Sequence, residues 1–164
     1  MSERLRSQLG SLLDRYDAAR READSRMRQA RVDDALFLQH FAELRRDVVR
    51  PVFEAAGALL HERGHEFSII EEEYQLQGGG KSIEATIELR IAPFGMEKLP
   101  QAHDHLRALS FATRHYNKTV CITNGAVPQS GSIAGAAGGY ALSQIDAQLV
   151  EQELLKLVAA LVRA

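Results

Sequence analysis

The sequence predicts an α+β fold: a four- to five-stranded antiparallel sheet with helices packed on one face, preceded by a long helical extension and closed by an amphipathic helix. Three observations carry this prediction. Apolar residues recur at three- and four-residue steps from Leu5 to Leu60. From about Glu66 the period drops to two, most plainly in Ser82–Ile91, and from Ile145 to Leu161 it returns to the helical value. No strand–helix–strand alternation occurs, so a doubly wound parallel sheet is excluded. The expected organisation is an extension over residues 1–31, with coiled-coil character, and a single α+β domain over 32–164.

In the extension, Leu5, Leu9, Leu12, Tyr16, Ala19, Ala23 and Ala30 form an a/d heptad seam, interrupted where Arg26 takes a seam position beside Met27. Arg15, Asp17, Arg20, Arg21, Glu22, Asp24 and Arg28 lie between them with the mixed signs of a solvated face. So narrow a stripe suits one helical partner, either a second copy of the chain or the next helix folded back. Asp33-Asp34 is a place for that next helix to be capped. Its stripe is Phe37, Phe41, Leu44, Val48, Val52, Ala56 and Leu59, widened by Leu36, Val49, Phe53 and Leu60, which suits a sheet. Pro51 has no N–H and clashes with the carbonyl of Asp47, so a kink or short break is expected near Arg50. Gly64 is placed to end the helix.

Phe67–Leu76 reads as the first strand and Gln77-Gly78-Gly79-Gly80 as a hairpin connection. Ser82–Ile91 alternates without fault: Ile83, Ala85, Ile87, Leu89 and Ile91 share the buried face, and Ser82, Glu84, Thr86, Glu88 and Arg90 the wet one. Leu106–His115 and Thr119–Thr123 are further strands, turned at Asn117-Lys118, and Gly139–Leu142 is a last short one. Ser143 and Asp146 form an S-x-x-D capping-box variant ahead of a helix carrying Ile145, Leu149, Leu154, Leu157, Val158 and Leu161 on one stripe.

The chain has 164 residues, 45% of them hydrophobic and 26% charged, with a formal net charge of −2. That length suffices for one domain burying roughly 70% of its unfolded surface. A charge so near zero supplies no general attraction to nucleic acid or to an anionic membrane. Cys121 is the single cysteine, so no internal disulfide forms. The N-terminal MSERLRSQLGSLLDRYD lacks the apolar h-region of a signal peptide, and no stretch approaches the ~20 apolar residues of a membrane span. A cytoplasmic location is expected.

His61-Glu62-Arg63-Gly64-His65 spells H-E-x-x-H and resembles the zinc-hydrolase signature over these five residues. In that chemistry the two histidines meet on one helix face, bind zinc, and leave the Glu as general base. A third ligand would have to come from Glu71, Glu73, His103 or His105. Helix ending at Gly64 works against convergence of His61 and His65, and Arg63 sets a cation beside the presumed metal. His103 and His105, with Asp104 and later His115, form a second histidine group. Gly78-Gly79-Gly80-Lys81-Ser82 looks like the end of a P-loop, but Gln75 stands where the first Gly is needed and a strand follows. Asn124–Gly139 is rich in small residues. Its Gly125, Gly131, Gly135, Gly138 and Gly139, with Tyr140 beyond, mark a loop that a ligand or partner backbone can approach closely. Arg107, Arg114 and Lys118 are candidates for an anion patch. Cys121, between Val120 and Ile122, reads as a small buried hydrophobe.

No complete catalytic constellation assembles from spacing. The expected function is a small non-catalytic interaction or ligand-binding module without a cofactor, self-associating through its N-terminal helix. The alternative is a metal-dependent hydrolase with His61 and His65 on zinc and Glu62 as base.

Overall fold

The computed structural model describes residues 2–95, 107–126 and 139–163. The chain divides into two compact units, Met1–Leu36 and Phe37–Ala164.

Helix α1 spans Glu3–Leu44. It runs through Asp33-Asp34 without a break, correcting the expectation that a new helix is capped there. No Gly or Pro lies between Gly10 and Leu44 to stop it, and the Asp33 carboxylate accepts from the Gln29 amide one turn earlier instead of capping (2.9 Å).

The expected break before Pro51 takes the form of a π-helical turn, Arg45–Val49, that leads into α2, Arg50–Glu62. The Arg50 N–H reaches back five residues to the Arg45 carbonyl. A bond of that reach at this point accommodates the ring of Pro51, which has no N–H to offer Asp47. The turn also resets the helix phase. The buried row is Phe37, Phe41, Arg45, Val49, Phe53 and Gly57, four residues apart each time. In a regular α-helix such a row rotates by about 40° per step. The expected stripe is therefore displaced: Val48, Val52 and Ala56 are half-buried, and Leu59 is 55% exposed.

Helix α2 ends in a Schellman cap. Gly64 has φ +87°, its N–H bonds the His61 carbonyl at 3.0 Å, and the His65 N–H bonds the Leu60 carbonyl at 2.9 Å. Gly64→Ala forces a Cβ into left-handed backbone, and we expect it to cost about 1 kcal/mol in a urea titration.

The sheet has order β1-β4-β5-β6, all antiparallel, with β1 Glu66–Glu72, β4 Thr86–Ala92, β5 Ala108–Arg114 and β6 Thr119–Asn124. Two short strands, β2 Gln75–Leu76 and β3 Ser82–Ile83, form a separate ribbon. The faultless alternation of Ser82–Ile91 is thus divided at Glu84-Ala85, and Phe67–Leu76 at Glu73-Tyr74. At the division the Thr113 N–H still donates to the Ala85 carbonyl at 2.9 Å, but the Ala85 N–H donates to Thr113 Oγ1 at 3.0 Å, and Thr113 Oγ1 donates to Glu84 Oε2 at 2.8 Å. Gly79 and Gly80, with φ of +82° and +77°, turn the ribbon. The glycines that look like a P-loop end are hairpin glycines.

One sheet face carries Ile87, Leu89, Ile91, Leu109, Phe111 and Val120 into a core shared with Phe41, Val49 and Phe53. The closing helix α3, Ala147–Arg163, adds Val150, Leu154 and Leu157. Its cap is Asp146, whose Oδ1 accepts the Leu149 N–H at 2.8 Å. Ser143, expected as the cap, lies in the 3₁₀ turn Leu142–Gln144. The expected last strand is reduced to one residue: Tyr140 exchanges both backbone bonds with Val120, at 2.8 and 2.9 Å.

Candidate functional site

The heptad seam of α1 is solvent-exposed along its length. Leu5 is 52% exposed, Leu9 43%, Leu12 59% and Tyr16 62%, with Leu13 beside them at 53%. No residue between Ser2 and Val32 is buried. In proteins most helical stability comes from packing of an amphipathic face, and the apolar face of α1 over these residues is exposed. Ion pairing on the same helix is local: Arg26 Nη2 bonds Glu22 Oε1 at 2.5 Å, with both side chains largely in solvent.

The H-E-x-x-H residues do not share a helix face. His61 lies in the last turn of α2, while His65 follows the Schellman cap. The His65 Nδ1 accepts the Phe94 N–H at 3.0 Å. Glu62 is exposed at the helix end. Two of the proposed third ligands are engaged by arginines. Glu71 Oε1 accepts from Arg50 Nη1 at 3.0 Å, and Glu73 Oε1 accepts from Arg45 Nη2. His103 and His105 lie outside the described residues. Among the described residues no three His, Cys, Asp or Glu side chains cluster as a metal requires. Gly64 ends the helix on which both imidazoles would have to stand.

Polar groups converge instead on Arg45, which the sequence analysis passes over. Arg45 is 7% exposed. Its Nη1 donates to the carbonyls of Glu72 (3.1 Å) and Thr86 (3.2 Å), where the β1–β4 ladder ends, and its Nη2 pairs with Glu73. Its guanidinium lies 5.8 Å from the centre of the Phe41 ring. A charged residue in the every-fourth row Phe37, Phe41, Arg45, Val49 was the available signal. Arg50 pairs with both Glu71 and Glu54, and these hydrogen bonds raise its already high pKa. On the exposed side of the π turn, Arg46 bonds Asp47 in a bidentate fork at 2.8 and 3.0 Å. That bond holds the Asp47 carboxyl below its ordinary value and raises Arg46. The small stabilisation Asp47 contributes is present at neutral pH and is lost as pH falls through the lowered value.

Across the hairpin division, Glu84 accepts from the Thr113 hydroxyl, from the His115 N–H at 3.3 Å, and meets His115 Nδ1 at 2.5 Å. Tyr74 stacks edge-on against His115, with centroids 5.0 Å apart. The carboxylate orients the imidazole through Nδ1 and ties the β5–β6 turn to the β3–β4 junction.

The glycine-rich segment is described at its ends. The Gly125 N–H bonds the Ala108 carbonyl at 3.0 Å, beside the β5 start. At the other end Gly139 has no room for a Cβ, which would lie 2.2 Å from the Thr119 Cβ. Tyr140 is half-buried. Gly131, Gly135 and Gly138 lie outside the described residues. Arg107 lies just before β5 and Arg114 is its last residue, so the strand separates Arg107 from Arg114 and Lys118. Arg114 Nη2 reaches Cys121 Sγ at 3.3 Å on the sheet face away from the helices. Cys121 is half-buried there, not in the core as its apolar neighbours implied.

No helix among the described residues is long and apolar enough to cross a membrane. No protein-family model, curated protein or solved structure matches the chain.

Proposed function

We propose that the chain is a non-catalytic interaction module of the cytoplasm that assembles with itself through α1 and offers its sheet rim and the Gly125–Gly139 segment to a partner. The exposed seam Leu5, Leu9, Leu12, Tyr16 carries the reading. These side chains recur at heptad spacing and are exposed, the pattern that a second helix buries. The buried Arg45 and Thr113 support a non-catalytic role, since Arg45 is spent on backbone carbonyls and Glu73, and Thr113 on Ala85 and Glu84. Gly139 pressed against Thr119 supports a segment anchored at its return.

The test is the solution mass of the wild-type chain against Leu9→Glu combined with Leu12→Glu. Both positions are exposed, so the fold tolerates the change. Light scattering should give a multiple of 18.2 kDa for wild type and 18.2 kDa for the variant. Equal masses for the two proteins remove the self-association.

A further inference from the structure

We infer that two copies of the chain pair through α1 in antiparallel orientation, with Leu5 of one opposite Ala30 of the second copy, Leu9 opposite Arg26, Leu12 opposite Ala23, and Tyr16 opposite Ala19. This deepens the self-association proposed above and rests on it. Side-chain size along the seam is the first reason. The large residues Leu5, Leu9, Leu12 and Tyr16 fill its first half, and Ala19, Ala23 and Ala30 its second. A parallel pair sets large on large at one end and alanine on alanine at the other, so no single interaxial distance packs both. Antiparallel pairing puts one large and one small residue in three of the four layers. In the fourth, Arg26 lays its methylene stem on Leu9 and keeps its guanidinium in solvent, where Glu22 of its own helix already holds it. A parallel pair would instead set Arg26 against Arg26.

Flanking charge points the same way. Arg15 and Glu22 occupy the same flank of the seam, one heptad apart. In the antiparallel register each Arg15 meets Glu22 of the second copy, and the contact occurs twice by symmetry. The parallel register brings Arg15 beside Arg20 of the second copy, a like-charge contact that also occurs twice. Layer size, the place of Arg26 and flank charge are independent features of the seam, and each selects the same orientation.

Charge reversal tests it, because the two orientations predict opposite signs. At low ionic strength, Arg15→Glu should weaken the dimer about tenfold, as should Glu22→Arg, since two attractive exposed pairs become repulsive in each. An equimolar mixture of the two variants should recover near wild-type association as a heterodimer, read by sedimentation velocity with one variant labelled. In a parallel pair Arg15→Glu relieves repulsion with Arg20 and tightens the dimer, and that result overturns the inference while leaving self-association intact. A mixture that fails to recover also overturns it. A wild-type chain that sediments as a monomer at every concentration removes the self-association and this pairing together. As a second readout in a Cys121→Ser background, oxidation should link Leu12→Cys chains to Ala23→Cys chains. Links between two Leu12→Cys chains in preference to mixed ones would overturn the antiparallel register.

Discussion

Phe53→Ala is expected to lower the unfolding free energy by about 3–5 kcal/mol, the largest effect of any single truncation proposed for this chain. Phe53 is fully buried on α2. Its ring meets Phe111 of β5 at 6.0 Å between centroids and 55° between planes, a tilted aromatic contact worth ~0.5–1.5 kcal/mol beyond its area. It also packs with Val49, Ile87 and Leu89 in the core between helix and sheet. Truncation removes the transfer free energy of the ring and leaves a cavity that β5, held on both edges by β4 and β6, cannot collapse to fill. Urea titration with an unchanged slope and a lower midpoint is the expected readout. A loss below about 1.5 kcal/mol would show that the helix layer repacks and that Phe53 is not a keystone of the core.

Arg45→Met is expected to cost about 2–4 kcal/mol. Methionine keeps most of the buried stem, so the change isolates the guanidinium. What is lost is the donor to the Glu72 and Thr86 carbonyls, which then lack their side-chain partner at the end of the β1–β4 ladder. The ion pair itself contributes little, because the Glu73 side chain is 68% exposed and the Glu71 carboxylate keeps Arg50. Glu73→Gln should therefore change stability by less than about 1 kcal/mol. The contrast between the two variants separates backbone satisfaction from charge pairing. An Arg45→Met chain as stable as wild type would mean that a well-packed apolar replacement offsets the lost bonds, as happens for some buried ion pairs.

The two variants probe features of different legibility. Phe53 appears in the sequence as an apolar residue at helical spacing, although on the margin of the expected stripe. Its place at the centre depends on the π turn, whose need is signalled by Pro51 but whose phase shift is not. Arg45 reads as one more surface arginine until the turn rotates it inward under the hairpin. Glu84 reads as an outward residue of an unbroken strand. Only the approach of Thr113 and His115 from another strand shows why the alternation is interrupted there. In each case the missing information is a partner distant in sequence, and periodicity reports burial without reporting partners.

Local chemistry was sufficient elsewhere. The period-two and period-3.6 segments determined the α+β class, the antiparallel strands β4, β5 and β6, and the closing helix, because burying one face of each element leaves little freedom in arrangement. Gly64 determined the end of α2, because only a residue without Cβ takes left-handed backbone there at low cost. That in turn makes His61-Glu62-Arg63-Gly64-His65 a helix boundary. Tertiary structure decided the rest: the continuity of α1 through Asp33-Asp34, the role of Arg45 at the ladder end, and the Glu84–Thr113–His115 contact. These turn on which of several locally acceptable options gives buried polar groups their partners, and that choice is made only when strands and helices meet.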